Sequence, residues 1–163
     1  GKPLVVKISS DPRSCYAAKR EVWKQSLDKL GVHAEFPISS FADNSKAAYH
    51  CELQMWGLGE LLVSVPDGID SFEIFYGPNS YQGNFGCYQS KAYDDAYDQA
   101  VLLPAGPERD ALYRKMERIL EADTALGLEL WVIRNWVAQP WVKGFKKHPN
   151  LRADWKYLDI EKH

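Results

Sequence analysis

Three cysteines, Cys15, Cys51 and Cys87, are all the chain contains, and none lies near enough to another to form a paired metal-binding or thiol-redox motif. His33, His50, His148 and His163 are equally scattered. No metal site and no cofactor are expected. The three thiols permit at most one internal disulfide, with its pairing open, and a leftover cysteine can pack as a small hydrophobe. Charge of one sign is missing as well: 20 Lys and Arg face 22 acids, for a formal net charge of -2. That balance provides no electrostatic footprint for nucleic acid or an anionic membrane surface. No apolar run approaches the ~20 residues needed to span a bilayer. No nucleophile sits in a recognisable catalytic signature, so no catalytic residue is assigned.

One local absence is more informative. Between Met55 and Tyr88 the chain has no Lys, Arg or His, yet it places there seven aromatic residues, six of its eleven glycines and the acids Glu60, Asp67, Asp70 and Glu73. Aromatic rings offer rigid contact faces, glycines let the backbone approach closely, and carboxylates without local neutralisation favour a neutral or cationic guest. Packing beneath a long loop is the competing reading of the same rings.

The flanking pattern is α/β. Leu4 to Ile8 is a short apolar run rich in β-branched residues, and Val32, Ala34, Phe36 and Ile38 alternate with His33, Glu35 and Pro37. Between them Cys15, Ala18 and Val22, beside Trp23, Leu27 and Leu30, follow helical spacing up to Gly31. This unit has the length of a βαβ element with parallel strands. Ser39 to His50 reads as a loop and short helix, Glu52 to Trp56 as a strand, and Asp70 to Tyr76 as a helical turn before a turn at Gly77-Pro78-Asn79. Two helices follow, one starting after Ser90 and one at Pro107, with Tyr93, Ala96, Tyr97, Ala100, Leu112, Met116 and Ile119 inward. Leu128 to Trp136 reads as a buried strand, and Trp155 to Ile160 as a closing strand. In such a sheet, ligands gather just beyond the carboxyl ends of the strands, where Trp56-Gly57-Leu58-Gly59-Glu60 stands.

The order of these pieces resembles the carboxyl-terminal lobe of extracellular solute-binding proteins of family 5, the oligopeptide-, dipeptide- and nickel-binding class serving ABC importers. The resemblance rests on Gly1-Lys2-Pro3-Leu4-Val5-Val6, Leu30-Gly31-Val32, Tyr88-Gln89-Ser90-Lys91-Ala92-Tyr93-Asp94-Asp95, Pro107-Glu108-Arg109-Asp110-Ala111-Leu112-Tyr113, Pro140-Trp141-Val142-Lys143-Gly144 and Trp155-Lys156-Tyr157-Leu158-Asp159-Ile160. It runs over essentially all 163 residues. It implies one lobe of a type II periplasmic-binding-protein-like fold, a mixed sheet flanked by helices, belonging to a longer two-lobed protein. The start at Gly1, with neither an initiator Met nor a signal peptide, agrees with a processed chain or an excised fragment.

The resemblance further implies a periplasmic or extracellular location, an amino-terminal partner lobe, ABC importer membrane subunits as partners, and a small solute or peptide enclosed between lobes. The positions facing such a solute are Trp56, Gly57, Leu58, Gly59, Glu60, Asp67, Asn84 and Phe85. Many peptide-binding members carry an aspartate here that anchors the peptide amine, whereas this sequence has Leu61, Leu62 and Val63. An oligosaccharide receptor of the same family is the alternative. Two other classes compete: a glycoside hydrolase using Glu60 and Asp67 as a carboxylate pair, and a module docking another protein through its aromatic surface.

Overall fold

In a computed structural model, residues 4–13, 15–57, 67–127, 135, 137–146 and 154–161 are described. The expected strand at Leu128 to Trp136 falls almost wholly outside them, as do Leu58, Gly59 and Glu60.

Strand β1 (Leu4–Ser9) is central in a three-stranded sheet of order β2-β1-β3, with β2 (Val32–Glu35) and β3 (Met55–Trp56) parallel to it. Between β1 and β2 runs α1 (Cys15–Asp28), and Gly31 closes that connection at φ +73°, where a Cβ would be strained. The expected strand–helix–strand unit with parallel strands is therefore present. An isolated bridge between Ser10 and Ile38 extends the β1–β2 pairing. The segment from Glu52 narrows to a two-residue strand because Gln54 turns its side-chain oxygen to the backbone N–H of Lys7 at 2.8 Å instead of continuing the ladder.

Helix α2 (Phe41–Tyr49) starts at Ser40, whose hydroxyl accepts from the backbone N–H of Asp43 at 3.1 Å. Its buried Asn44 donates to the carbonyls of Ser10 and Ser39, at 3.0 and 3.2 Å, and so ties α2 to the carboxyl end of β1. Among the described residues, Ile8, Ala34 and Ala48 are the buried apolar residues of this half.

The second half is helical. A short α3 (Ile69–Phe72), continued by 3-10 turns at Glu73–Phe75 and Gly77–Asn79, packs on α4 (Lys91–Leu102), and α4 packs on α5 (Pro107–Ala122). The core here is Tyr93, Ala96, Ala100, Met116 and Leu120, with Phe72, Phe75, Tyr88 and Leu112 against it. Alanines at 96 and 100, one turn apart, let the two helices close together. Ser90 holds the residue position before α4, but its side chain makes no cap; its carbonyl accepts from Asp94 instead. The Asp94 carboxylate accepts the Gly77 N–H at 2.8 Å, so closely that a Cβ on residue 77 would lie 2.7 Å from the other carboxylate oxygen.

Near the end, β4 (Val142–Lys143) and β5 (Asp159–Ile160) form a separate antiparallel pair. The expected strand from Trp155 is corrected here: Asp154–Tyr157 is a 3-10 turn, and only Asp159 and Ile160 pair. The described strands thus combine a parallel sheet with an antiparallel pair, flanked by helices.

Candidate functional site

Trp56 ends β3 at the carboxyl edge of the parallel sheet, and its ring is the centre of an aromatic wall. Phe41, the first residue of α2, lies 5.6 Å from it between ring centroids, and Phe85 meets it edge-on at 5.7 Å. Tyr49, from the far end of α2, packs on Phe85 at 5.0 Å. These separations suit tilted and T-shaped ring pairs, in which the positive edge of one ring meets the negative face of another. Phe41 remains 57% exposed and Tyr49 37%, so the wall keeps an open face. Four contiguous rings at this edge can take apolar or aromatic side chains by area burial and stacking. Phe41 and Tyr49 were missed from sequence. Their eight-residue spacing within one helix stripe was the available signal, because aromatics at both ends of a nine-residue helix fall on neighbouring faces.

Of the expected residues, Trp56 and Phe85 are brought together. Gly57 lies beside them, but its N–H is committed to the carbonyl of Ser9 at 2.9 Å, in extension of the sheet. The backbone donor expected there for a ligand is used within the fold.

Asp67 faces elsewhere. One carboxylate oxygen accepts from Arg109 Nη1 at 2.8 Å; the other accepts from the Tyr113 hydroxyl at 2.8 Å and the Ile69 N–H at 3.1 Å. The Ile69 N–H, the Tyr113 hydroxyl and the Arg109 guanidinium hold its carboxyl below the usual carboxylate range. Burial and the Asp67 carboxylate in turn push the Tyr113 phenol up to about 12. The expectation of an unneutralised acid is therefore corrected at this position: the missing positive charge comes from α5. Asn84 is likewise engaged within the fold. It is fully buried, donates to the carbonyls of Tyr88 and Tyr76 at 2.8 and 3.2 Å, and accepts the Tyr88 N–H at 3.2 Å. Its amide shapes the loop that carries Phe85.

A disulfide joins Cys51, just beyond α2, to Cys87, in that loop, with Cα atoms 5.7 Å apart. This selects one of the three pairings left open by the sequence. Among the described residues, no three His, Cys, Asp or Glu side chains come together as a metal cluster, and no helix is long and apolar enough to cross a membrane.

No protein-family model and no curated protein matches the sequence. Solved structures do match the fold. The murein tripeptide binding protein MppA of Escherichia coli superposes with a TM-score of 0.77 at 18% identity, over 99% of this chain and 32% of that one. The fold is that of the periplasmic binding proteins. The oligopeptide-binding protein AppA of Bacillus subtilis, in complex with a nonapeptide, gives a TM-score of 0.74 at 14% identity, over 99% of this chain and 32% of that one. NikZ of Campylobacter jejuni, in complex with Ni(L-His), gives 0.58 at 17% identity, over 74% and 24%. The chain thus spans about a third or less of each of these three proteins.

Proposed function

We propose that the chain is a single α/β lobe of a two-lobed solute receptor, the substrate-binding component of an ABC importer, and that its guest is a peptide. The observation that carries this reading is the open wall of Phe41, Trp56, Phe85 and Tyr49 at the carboxyl edge of a parallel sheet, the place where open α/β sheets bind ligands. The structural neighbours support it: MppA binds a murein tripeptide and AppA was captured with a nonapeptide.

The work is binding, without bond chemistry. Ring faces bury the apolar parts of the solute, and closure of a partner lobe removes water and strengthens the polar contacts. The residues proposed to touch solute are Trp56 and Phe85, joined by Phe41 and Tyr49, with Leu58, Gly59 and Glu60 following directly in the chain. Asp67 and Asn84 support the fold around them. The glycoside-hydrolase reading loses its carboxylate pair, since both oxygens of Asp67 are occupied by Arg109, Tyr113 and Ile69. A Cys51–Cys87 disulfide fits an oxidising, extracytoplasmic location.

The test is titration calorimetry of the full-length protein against tri- to nonapeptides, with Ni(L-His) and oligosaccharides as separate arms. Saturable binding of a peptide, weakened at least tenfold by Trp56→Ala, is expected. Binding confined to the nickel complex or to a sugar would reassign the solute, and silence in every arm would remove the receptor reading.

A further inference from the structure

The disulfide and the ring wall share a geometry that the receptor reading does not use. Tyr49 stands two residues before Cys51, and Phe85 two residues before Cys87. Their pairs form two adjacent rungs between the end of α2 and the loop at 76–88: a ring contact at 5.0 Å and a covalent bridge with Cα atoms 5.7 Å apart. Both cysteines have left-handed backbones, φ +60° at Cys51 and +47° at Cys87, a conformation uncommon for a residue with a Cβ.

The loop is anchored differently on its other side. Gly77 donates to Asp94, the Tyr76 hydroxyl donates to Asp98 at 2.6 Å, and Tyr88 bonds Asp123. Asn84 and the Asn79 carbonyl, which accepts from Gln82, Gly83 and Asn84, hold the loop to itself. The loop therefore belongs mechanically to the α4–α5 half. Among the described residues, the disulfide, the approach of the Cys87 sulfur to the Ala48 carbonyl at 3.9 Å and the contacts of Phe85 with Tyr49 and Trp56 join it to α2 and β3.

We propose that Cys51 and Cys87 are positioning residues for the solute site: their bridge clamps the loop to the end of α2 and holds Phe85 in the ring wall. This rests on the proposed receptor function only for its effect on affinity. Without the bridge, the loop stays attached to α4 and α5 but its ring is free to leave Trp56 and Tyr49, so binding must first restore the wall and is weaker by the cost of ordering it. Cys51 is exposed, which puts the bridge within reach of a reductant. When a phosphine and water cleave the S–S bond, leaving two thiols and the phosphine oxide, solute capture weakens without unfolding of the protein.

The experiment compares oxidised full-length protein with the same protein reduced by a phosphine, and with the Cys51→Ser/Cys87→Ser variant. Three readouts are taken: the nuclear Overhauser effect between Phe85 and Trp56 ring protons, amide exchange along α4 and α5, and affinity for the tripeptide Ala-Phe-Ala. On reduction the Phe85–Trp56 effect is expected to vanish and affinity to fall about fivefold or more, while α4 and α5 keep their protection. Phe85→Ala, with the bridge intact, should reproduce the affinity loss. A ring contact that survives reduction overturns the proposal, and so does simultaneous loss of protection throughout α4 and α5, which would make the bridge a general staple. If the oxidised protein bound no peptide at all, the peptide assignment would fall, and the ring contact and exchange would still decide whether the bridge positions Phe85.

Discussion

Arg109, in the first turn of α5, donates to the Asp67 carboxylate at 2.8 Å across 42 residues of sequence. The same carboxylate receives the Tyr113 hydroxyl from one turn further along the helix, and the Tyr113 ring stacks on Phe72 at 5.0 Å. The pair fastens the segment entering α3 to α5 at a point where Gly68 lets the Tyr113 ring approach within 3.2 Å of where a Cβ would stand. It places one of the four acids that composition marked as free on the structural side of the chain.

Asp67→Asn should cost about 1–2 kcal/mol at neutral pH, the range for a charge-assisted hydrogen-bond set that is partly solvated. The carboxyl is held below its unfolded value, so its contribution is present above about pH 4 and is lost as pH falls through the lower, folded value. Chemical denaturation across that acid range should show a shallower pH slope for the variant than for the parent protein.

Tyr76 gives the opposite pH limb. Its hydroxyl donates to Asp98, and that bond, with burial, pushes the phenol up to about 12. A raised phenol stabilises the fold below the unfolded value of about 10, and that stability is lost as pH rises towards 12. Phenolate absorbance should show Tyr76 and Tyr113 ionising late, and Tyr76→Phe should remove one of the late steps.

Met116 is fully buried between α4 and α5. Met116→Ala should destabilise by about 2–5 kcal/mol through lost burial and the cavity left behind. A denaturant titration should show a lower midpoint, with α4–α5 amides losing protection first; a cost near zero would mean the core is not where the helices pack.

Asn84→Ala leaves the Tyr88 N–H and two carbonyls without their buried partner. A loss of about 2–3 kcal/mol is expected from that desolvation, with a weakened peptide affinity because Phe85 loses its support. Affinity loss at unchanged thermal stability would instead return Asn84 to direct solute contact.

Phe41→Ala separates binding from stability. More than half exposed, the ring contributes little to folding, yet it contacts Trp56 at 5.6 Å. Affinity for Ala-Phe-Ala should fall about three- to tenfold, corresponding to ~0.5–1.5 kcal/mol for an aromatic contact, while the melting temperature holds. Equal affinity would exclude Phe41 from the site.

Residue order by itself determined the βαβ unit, the pair α4 and α5 with their inward residues, and the position of Trp56 at a strand end, because turn residues and hydrophobic period act between near neighbours in sequence. Tertiary structure decided the rest. Asp67 lost its freedom to Arg109, Asn84 turned inward, Cys51 found Cys87, and Phe41 and Tyr49 joined Trp56. The strand read at Trp155 tightened into a 3-10 turn, since alternation over so few residues does not separate the two. Asp67 and the disulfide depend on partners 42 and 36 residues away, and such a partner leaves no mark in the local pattern. An acidic, aromatic, base-free stretch is thus visible in sequence, whereas the division of its residues between holding the fold and facing a solute is set only when distant side chains arrive.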